Sequence, residues 1–150
     1  MDSEFDLETF MGREVDDSSE TRYTPCPEGD YTGIIDGVKC RGVTKQGSII
    51  TDIVWAVDDQ TVRDATGMDN PTVRQTVFVD VENGAIAFGQ NKNVQLGRLR
   101  EAVGQNQAGK PWSLRMLEGG GPALIHVEHR ANPDNPDDVF ADVKRVTKAA

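Results

Sequence analysis

The chain has only two cysteines, Cys26 and Cys40, and two histidines, His126 and His129, in 150 residues. Two isolated cysteines make neither a disulfide framework nor a C-x-x-C zinc spacing, so a reducing, cytosolic setting is expected. No apolar run approaches the roughly 18 residues of a membrane span, and no membrane partner is expected. The opening Met1-Asp2-Ser3-Glu4-Phe5-Asp6 lacks the basic flank of a signal peptide and the arginines of a transit peptide, so neither is expected. Positive charge is also scarce. Lys and Arg number 16 against 25 Asp and Glu, a formal net charge of −9. Taken whole, that balance disfavours a polyanionic partner.

The charge is unevenly spread. Residues 1–30 carry ten acidic side chains against Arg13 and Arg22, a net of −8, whereas residues 31–150 carry 15 acidic and 14 basic residues, a net of −1. The chain therefore divides into an acidic N-terminal arm, 1–22, and a nearly neutral domain, 23–150. Blocks of like charge usually form solvated tails. Phe5, Leu7, Phe10 and Met11 give the arm loosely helical apolar anchors, as in a peptide that docks in a partner's groove. A loose terminus, or one that folds back on the domain, is the simpler alternative.

The prolines and glycine of Thr24-Pro25-Cys26-Pro27-Glu28-Gly29 mark a boundary, after which apolar residues alternate. Tyr31 to Arg41 reads as a first strand, with Gly33 and Gly37 at bulges or bends. A turn over residues 42–47 leads to a second strand, Ser48 to Val57, with Ile49, Ile53, Trp55 and Val57 on one face. Residues 58–71 read as a polar connection. Thr72 to Val81 is a third strand, with Val73, Val77, Val79 and Val81 on one side and Arg74, Thr76 and Phe78 on the other. Asn93 to Val103 turns helical, Leu96, Leu99 and Val103 sharing a face, and Gly104 stops it. A further turn is expected within Pro111–Leu117, before Gly119-Gly120-Gly121-Pro122. The strands Ala123–Arg130 and Val139–Val146 close the chain around the turn-rich segment 132–137. The order strand, strand, strand, helix, strand, strand predicts a mainly β, five-stranded OB-fold-like barrel with one helix between strands three and four.

Catalytic signals are weak, and no enzyme activity, cofactor or metal is expected. On a strand, His126 and Glu128 share a face and His129 points away, with no further histidine to complete a metal site. Gly119-Gly120-Gly121-Pro122 lacks the Lys and helix of a phosphate loop. There is no Gly-x-Ser-x-Gly elbow. Asp58-Asp59 and Asp137-Asp138 lie in turns and read as solvated loop residues.

An OB barrel binds single strands across its second and third strands and the flanking loops, with aromatic faces for bases and cations for phosphates. The matching residues are Arg41 and Lys45 at the first turn, Arg74 and Phe78 on the third strand, and Arg130 and Lys144 near the ends of the last two strands. The alternative reading makes Arg74 a surface charge and Phe78 an edge residue under the arm. Trp55 alternates with core residues and is expected inside. Lys110, Trp112 and Arg115 form a second candidate patch, with Trp112 as a core cap the favoured reading. The acidic segment 132–138 counts against binding.

Three stretches carry a resemblance. Pro27-Glu28-Gly29-Asp30-Tyr31-Thr32-Gly33 looks like the Pro-x-Gly-x-Tyr-x-small opening of the first strand in a group of bacteriophage proteins. Residues 96–104 are similar to their Leu-x-x-Leu-x-x-Ala-x-Gly helix, and residues 141–146 resemble their closing strand. These are phage-encoded OB-fold proteins that bind single-stranded DNA, together with related phage domains, and the resemblance spans about residues 23–146. It implies binding without sequence specificity in DNA replication or recombination, in the cytoplasm of a bacterial host. It also implies recruitment of replication proteins through an acidic, aromatic tail. Such tails usually lie at the C-terminus, whereas here the acidic segment, with Phe5 and Phe10 as docking residues, is at the front. The alternative reading is an adaptor or accessory subunit on an OB-like fold that docks through this arm. A homodimer is one assembly that both readings allow.

Overall fold

Wherever apolar residues alternate, the chain forms strands, and five of these shut into a ring; the computed structural model describes residues 6–149. The elements in chain order are α1 (Leu7–Met11), β1 (Gly29–Val43), β2 (Ile49–Val57), α2 (Gln60–Thr66), β3 (Thr72–Val79), β4 (Val81–Glu82), β5 (Ala85–Ile86), α3 (Val94–Ala102), a 3-10 turn (Leu114–Leu117), β6 (Ala123–Asn132) and β7 (Asn135–Lys148). The long strands pair in the order β1-β2-β3-β7-β6, and β6 returns to β1. All these pairings are antiparallel except β3 with β7, a short parallel contact at Arg74 and Asp142 that closes the ring.

Strand β1 serves two neighbours. Its first part pairs with β6 and its remainder with β2, and Gly33 belongs to both ladders. A Cβ at Gly33 would lie 3.1 Å from both Trp55 Cε3 and Ile125 Cδ1, so a side chain there would intrude on the core. Past this pivot, Ile35 exchanges backbone hydrogen bonds with Gly119 and Gly120. The Gly119-Gly120-Gly121 run therefore lies against β1 like a short extra strand. A Cβ on Gly121 would come within 3.0 Å of the Gly33 carbonyl oxygen, so the glycines permit the approach.

Trp55, Ile53, Val77, Ile125 and Val127 fill the ring, and Leu96 and Leu99 of α3 join the same core. Each such aliphatic side chain contributes about 1.5–3 kcal/mol on full burial. Trp55 is fully buried, as expected, and its indole N–H donates to Gln75 Oε1 at 2.9 Å. Asn93 ties α3 to the end of β3. Its side chain accepts from the Asp80 N–H at 2.7 Å and donates to the Asp80 and Ala87 carbonyls.

Several boundaries differ from the sequence reading. The helix between the third and fourth long strands is not the only one, because α2 occupies the connection read as polar coil. Asp59 caps α2 by accepting from the Val62 N–H at 3.1 Å, and Gly67, at φ 72°, ends it. Only Val62 of α2 is buried, so seven residues leave no visible periodicity. Strand β3 stops at Val79, and Val81 faces outward in the small β4–β5 hairpin instead of continuing the inward set. The last two strands are longer than read. Asn132 pairs with Asn135, residues 136–138 bulge, and register resumes at Ala131 opposite Val139.

Residues 7–24 are exposed, and Cys26 is the first buried side chain. Asp6 caps α1, which has no buried residue. Phe5 lies outside the described residues. Among the described residues no helix is long and apolar enough to cross a membrane.

Replacing Gln75 by Leu should destabilise the protein by about 1–3 kcal/mol, because the buried Trp55 N–H loses its acceptor. Urea unfolding followed by tryptophan fluorescence checks this, and a change smaller than experimental error would refute it.

Candidate nucleic-acid interface

The outer face of β1, β2 and β3 gathers three of the six residues singled out from sequence. Arg74 and Phe78 project from β3, each about half exposed, on the side opposite buried Val73, Gln75 and Val77. Phe78 stands across from Ile50 on β2, which makes an apolar step on the surface. Arg41 is the extra residue of a bulge in β1, between the Cys40–Thr51 and Gly42–Ile50 pairs. A bulge re-aims the side chain it inserts. Here it sends the guanidinium across to β2, where Arg41 Nε donates to Asp52 Oδ2 at 2.7 Å and Nη2 to Oδ1 at 3.3 Å.

Asp52 was not singled out, yet it organises this face. Its carboxylate is nearly covered, accepts from Thr76 Oγ1 at 3.1 Å, and has Arg74 Nη1 at 3.9 Å. Two guanidinium groups thus share one carboxylate, which leaves one uncompensated positive charge. The Arg41 hydrogen bond holds Asp52 below the usual carboxylate range, Thr76 and the charge of Arg74 adding to it while burial opposes. The signal was available in Ile50-Thr51-Asp52-Ile53-Val54, where a lone acid interrupts an otherwise uncharged, mostly apolar strand.

A second cluster borders the first where β3 meets β7. Arg130 on β6 donates to Asp142 at 2.7 Å and lies 4.9 Å from the centre of the Phe140 ring, its cross-strand neighbour. Arg74, Val54, Met68, Phe140 and Asp142 line a shared surface cavity of about 390 Å³. Tyr23, the most exposed of the large apolar side chains among the described residues, also lines it. The sequence reading missed Phe140, whose position opposite Arg130 appears only once register is known.

The other two cations sit differently. Lys45 lies in the β1–β2 turn, which is closed by the Thr44–Ser48 and Gly47–Thr44 backbone bonds. Lys144 is the extra residue of a bulge in β7, opposite the step between His126 and Val127. Neither is brought into the Asp52 cluster.

Trp112 packs partly buried against the core, and its N–H donates to Gln105 Oε1 at 2.7 Å. The cation over its ring is Arg100 of α3, at 4.0 Å, instead of Lys110 or Arg115. His126 is gripped by two carboxylates, Asp30 at 2.7 Å and Glu128 at 2.9 Å. These bonds, Asp30 first, raise its pKa against burial and the nearby Arg145. His129 turns the other way, to the Cys26 carbonyl.

No protein-family model matches this sequence, and no curated protein matches it.

The two perturbed groups predict opposite pH legs. Asp52, with its folded pKa lowered, contributes stability above its unfolded value of about 3.9, lost as pH falls through the folded value. His126, with its pKa raised, contributes fully below about 6.5, and that contribution disappears as pH rises through the folded value. In a pH series of thermal unfolding, Asp52→Asn should flatten the acid leg only, and His126→Gln the neutral leg only.

Proposed function

We propose that the protein is a non-catalytic, single-stranded-DNA-binding protein built on an OB-type barrel. The ring order β1-β2-β3-β7-β6 with a helix between β3 and β6 supports the OB-type reading. The observation that carries the function is the exposed Phe78 on the same outer face as two arginines held ready on one carboxylate.

The chemistry follows from those groups. A base stacks on the Phe78 ring, and a second aromatic, Phe140 with Arg130 over it, continues the track beside Arg74. Phosphates compete with Asp52 for Arg41 and Arg74 and with Asp142 for Arg130, so the carboxylates keep the arginines extended and ordered until a strand arrives. Lys45 and Lys144 add positive charge off the centre of the track. The resemblance to phage proteins extends this reading to DNA replication or recombination in the cytoplasm of a bacterial host.

Fluorescence titration with oligo-dT tests the proposal. Binding should weaken with salt, with a log–log slope of about −3.5 if all five cations meet phosphates. Phe78→Ala should lose about 1–3 kcal/mol, roughly 5- to 150-fold. Arg74→Glu should lose more, and Asp52→Asn should bind more tightly at low salt. Absence of binding at low salt, for both the full chain and a chain lacking residues 1–22, would sink the proposal.

A further inference from the structure

A second groove runs between α3, the β4–β5 hairpin and the end of β7. It consists of two neighbouring depressions of about 680 and 620 Å³ that share Ile86, Phe88 and Arg100. Each is large enough for a drug-sized ligand, and so for one nucleotide. Phe88 presents its ring to solvent at 75% exposure, and Trp112 lines the second depression. Lys92 and Lys148 are balanced by Glu82 at 3.7 Å and Glu101 at 3.8 Å. Arg98 and Lys110 line the groove too and form no ion pair among the described residues. With Arg100 that makes five cations against two carboxylates, a net of +3, although residues 31–150 together carry −1.

Arg100 is built into the wall where the two depressions meet. It is more than nine-tenths buried, yet it forms no ion pair among the described residues. The Trp112 ring covers one face of its guanidinium at 4.0 Å, and Nε donates to the Gln105 carbonyl at 3.1 Å. The Gln105 side chain in turn accepts from the Trp112 N–H at 2.7 Å, which holds fork and ring together. Nη1 and Nη2 have no hydrogen-bond partner, and no sealed side-chain nitrogen among the described residues lacks one, so both reach solvent. Because Arg100 lines both depressions, they open on the groove. A guanidinium fork held in this way matches two oxygens of one phosphate.

Two features of α3 bear on what fits there. Gly97 lines the groove in mid-helix, where glycine is destabilising relative to alanine. A Cβ at this position would meet nothing in the chain, so no internal packing requires its absence. The bare helix surface instead lets a ligand come close to the backbone. Gln95, two residues earlier, donates to the Thr76 carbonyl, and the Thr76 hydroxyl donates to Asp52. The groove wall is thereby joined to the face that carries Arg74 and Phe78.

We propose that this groove is a second binding site for single-stranded DNA and takes two consecutive nucleotides, an inference that rests on the strand-binding reading above. The phosphate between them accepts from Nη1 and Nη2 of Arg100. One base stacks on Phe88, the next lies against Trp112, and the rim cations meet the flanking phosphates. The arrangement of the groove selects this occupant. It sets an anion-binding fork between two depressions, each with an aromatic wall, which is the spacing of base, phosphate and base along a strand. An acidic peptide matches the charge but lacks that alternation.

Titration of the full chain at low salt with the dinucleotide pdTpdT, followed by tryptophan fluorescence, tests this. Trp112 is at the groove and Trp55 is sealed in the core, so quenching reports on this site. Quenching should saturate, and Phe88→Ala should weaken it roughly 5- to 150-fold, the range for one lost base stack. Gly97→Ala should weaken it too, in a chain that melts no lower than the parent. Both variants should keep the parent's circular dichroism. An unchanged affinity in Phe88→Ala, or competition by inorganic phosphate or thymidine as strong as by the dinucleotide, would overturn the proposal. So would quenching that appears only once residues 1–22 are removed, because the acidic arm would then be the occupant. Oligo-dT separates this site from the β2–β3 face. Weaker binding in Phe78→Ala alone overturns the groove, whereas weaker binding in Phe88→Ala alone supports the groove and overturns the face.

Discussion

The structure turns on one constraint: β1 must hydrogen-bond two different strands with its successive halves. A ring of five strands has no free edge only if its first strand bends from one neighbour to the next. Gly33 is where the change occurs, and the core side chains Trp55 and Ile125 crowd the space a Cβ would need. The Gly119–Gly121 run depends on the same bend, because it completes the hydrogen bonding of Ile35 beyond the reach of β6. The bulge that follows places Arg41 out of the regular alternation and onto Asp52. Ring closure and the candidate interface are therefore consequences of one strongly deformed strand.

On the outer face, electrostatics follows from partial burial. A carboxylate held under two arginines and a threonine hydroxyl retains its charge, because the hydrogen bonds and charges outweigh desolvation. The arginines, about half exposed, remain available to other anions while their free rotation is restricted. Limiting rotamer freedom before binding reduces the entropy lost on association. The same physics explains Arg100 differently: it is buried and, among the described residues, forms no ion pair with a carboxylate, so an aromatic face and a backbone carbonyl are its neighbours.

Much of this was legible in residue order, though unevenly. Strand positions followed from period-two alternation, and α3 from Leu96, Leu99 and its glycine stop. The inward direction of Trp55 and the outward direction of Arg74 and Phe78 came from the same alternation. Short α2 escaped because a single buried valine makes no pattern, although Asp59 and Gly67 are its cap signals. Asp52 and Phe140 escaped for another reason. Their roles depend on partners across strands, Arg41 eleven residues away and Arg130 ten, and a bulge or a register decides who meets whom.

By itself, the sequence determined the alternation that makes strands, the split between an acidic segment and a nearly neutral remainder, and the face of β3 that carries Arg74 and Phe78. These are local properties, set by side-chain period and by charge along the chain. Tertiary structure alone decided that Arg41 and Arg74 share Asp52, that Arg130 lies over Phe140, and that Arg100 is buried beneath the Trp112 ring. The physical reason is that ion pairs and desolvation depend on distance through space, and the closure of the ring sets those distances.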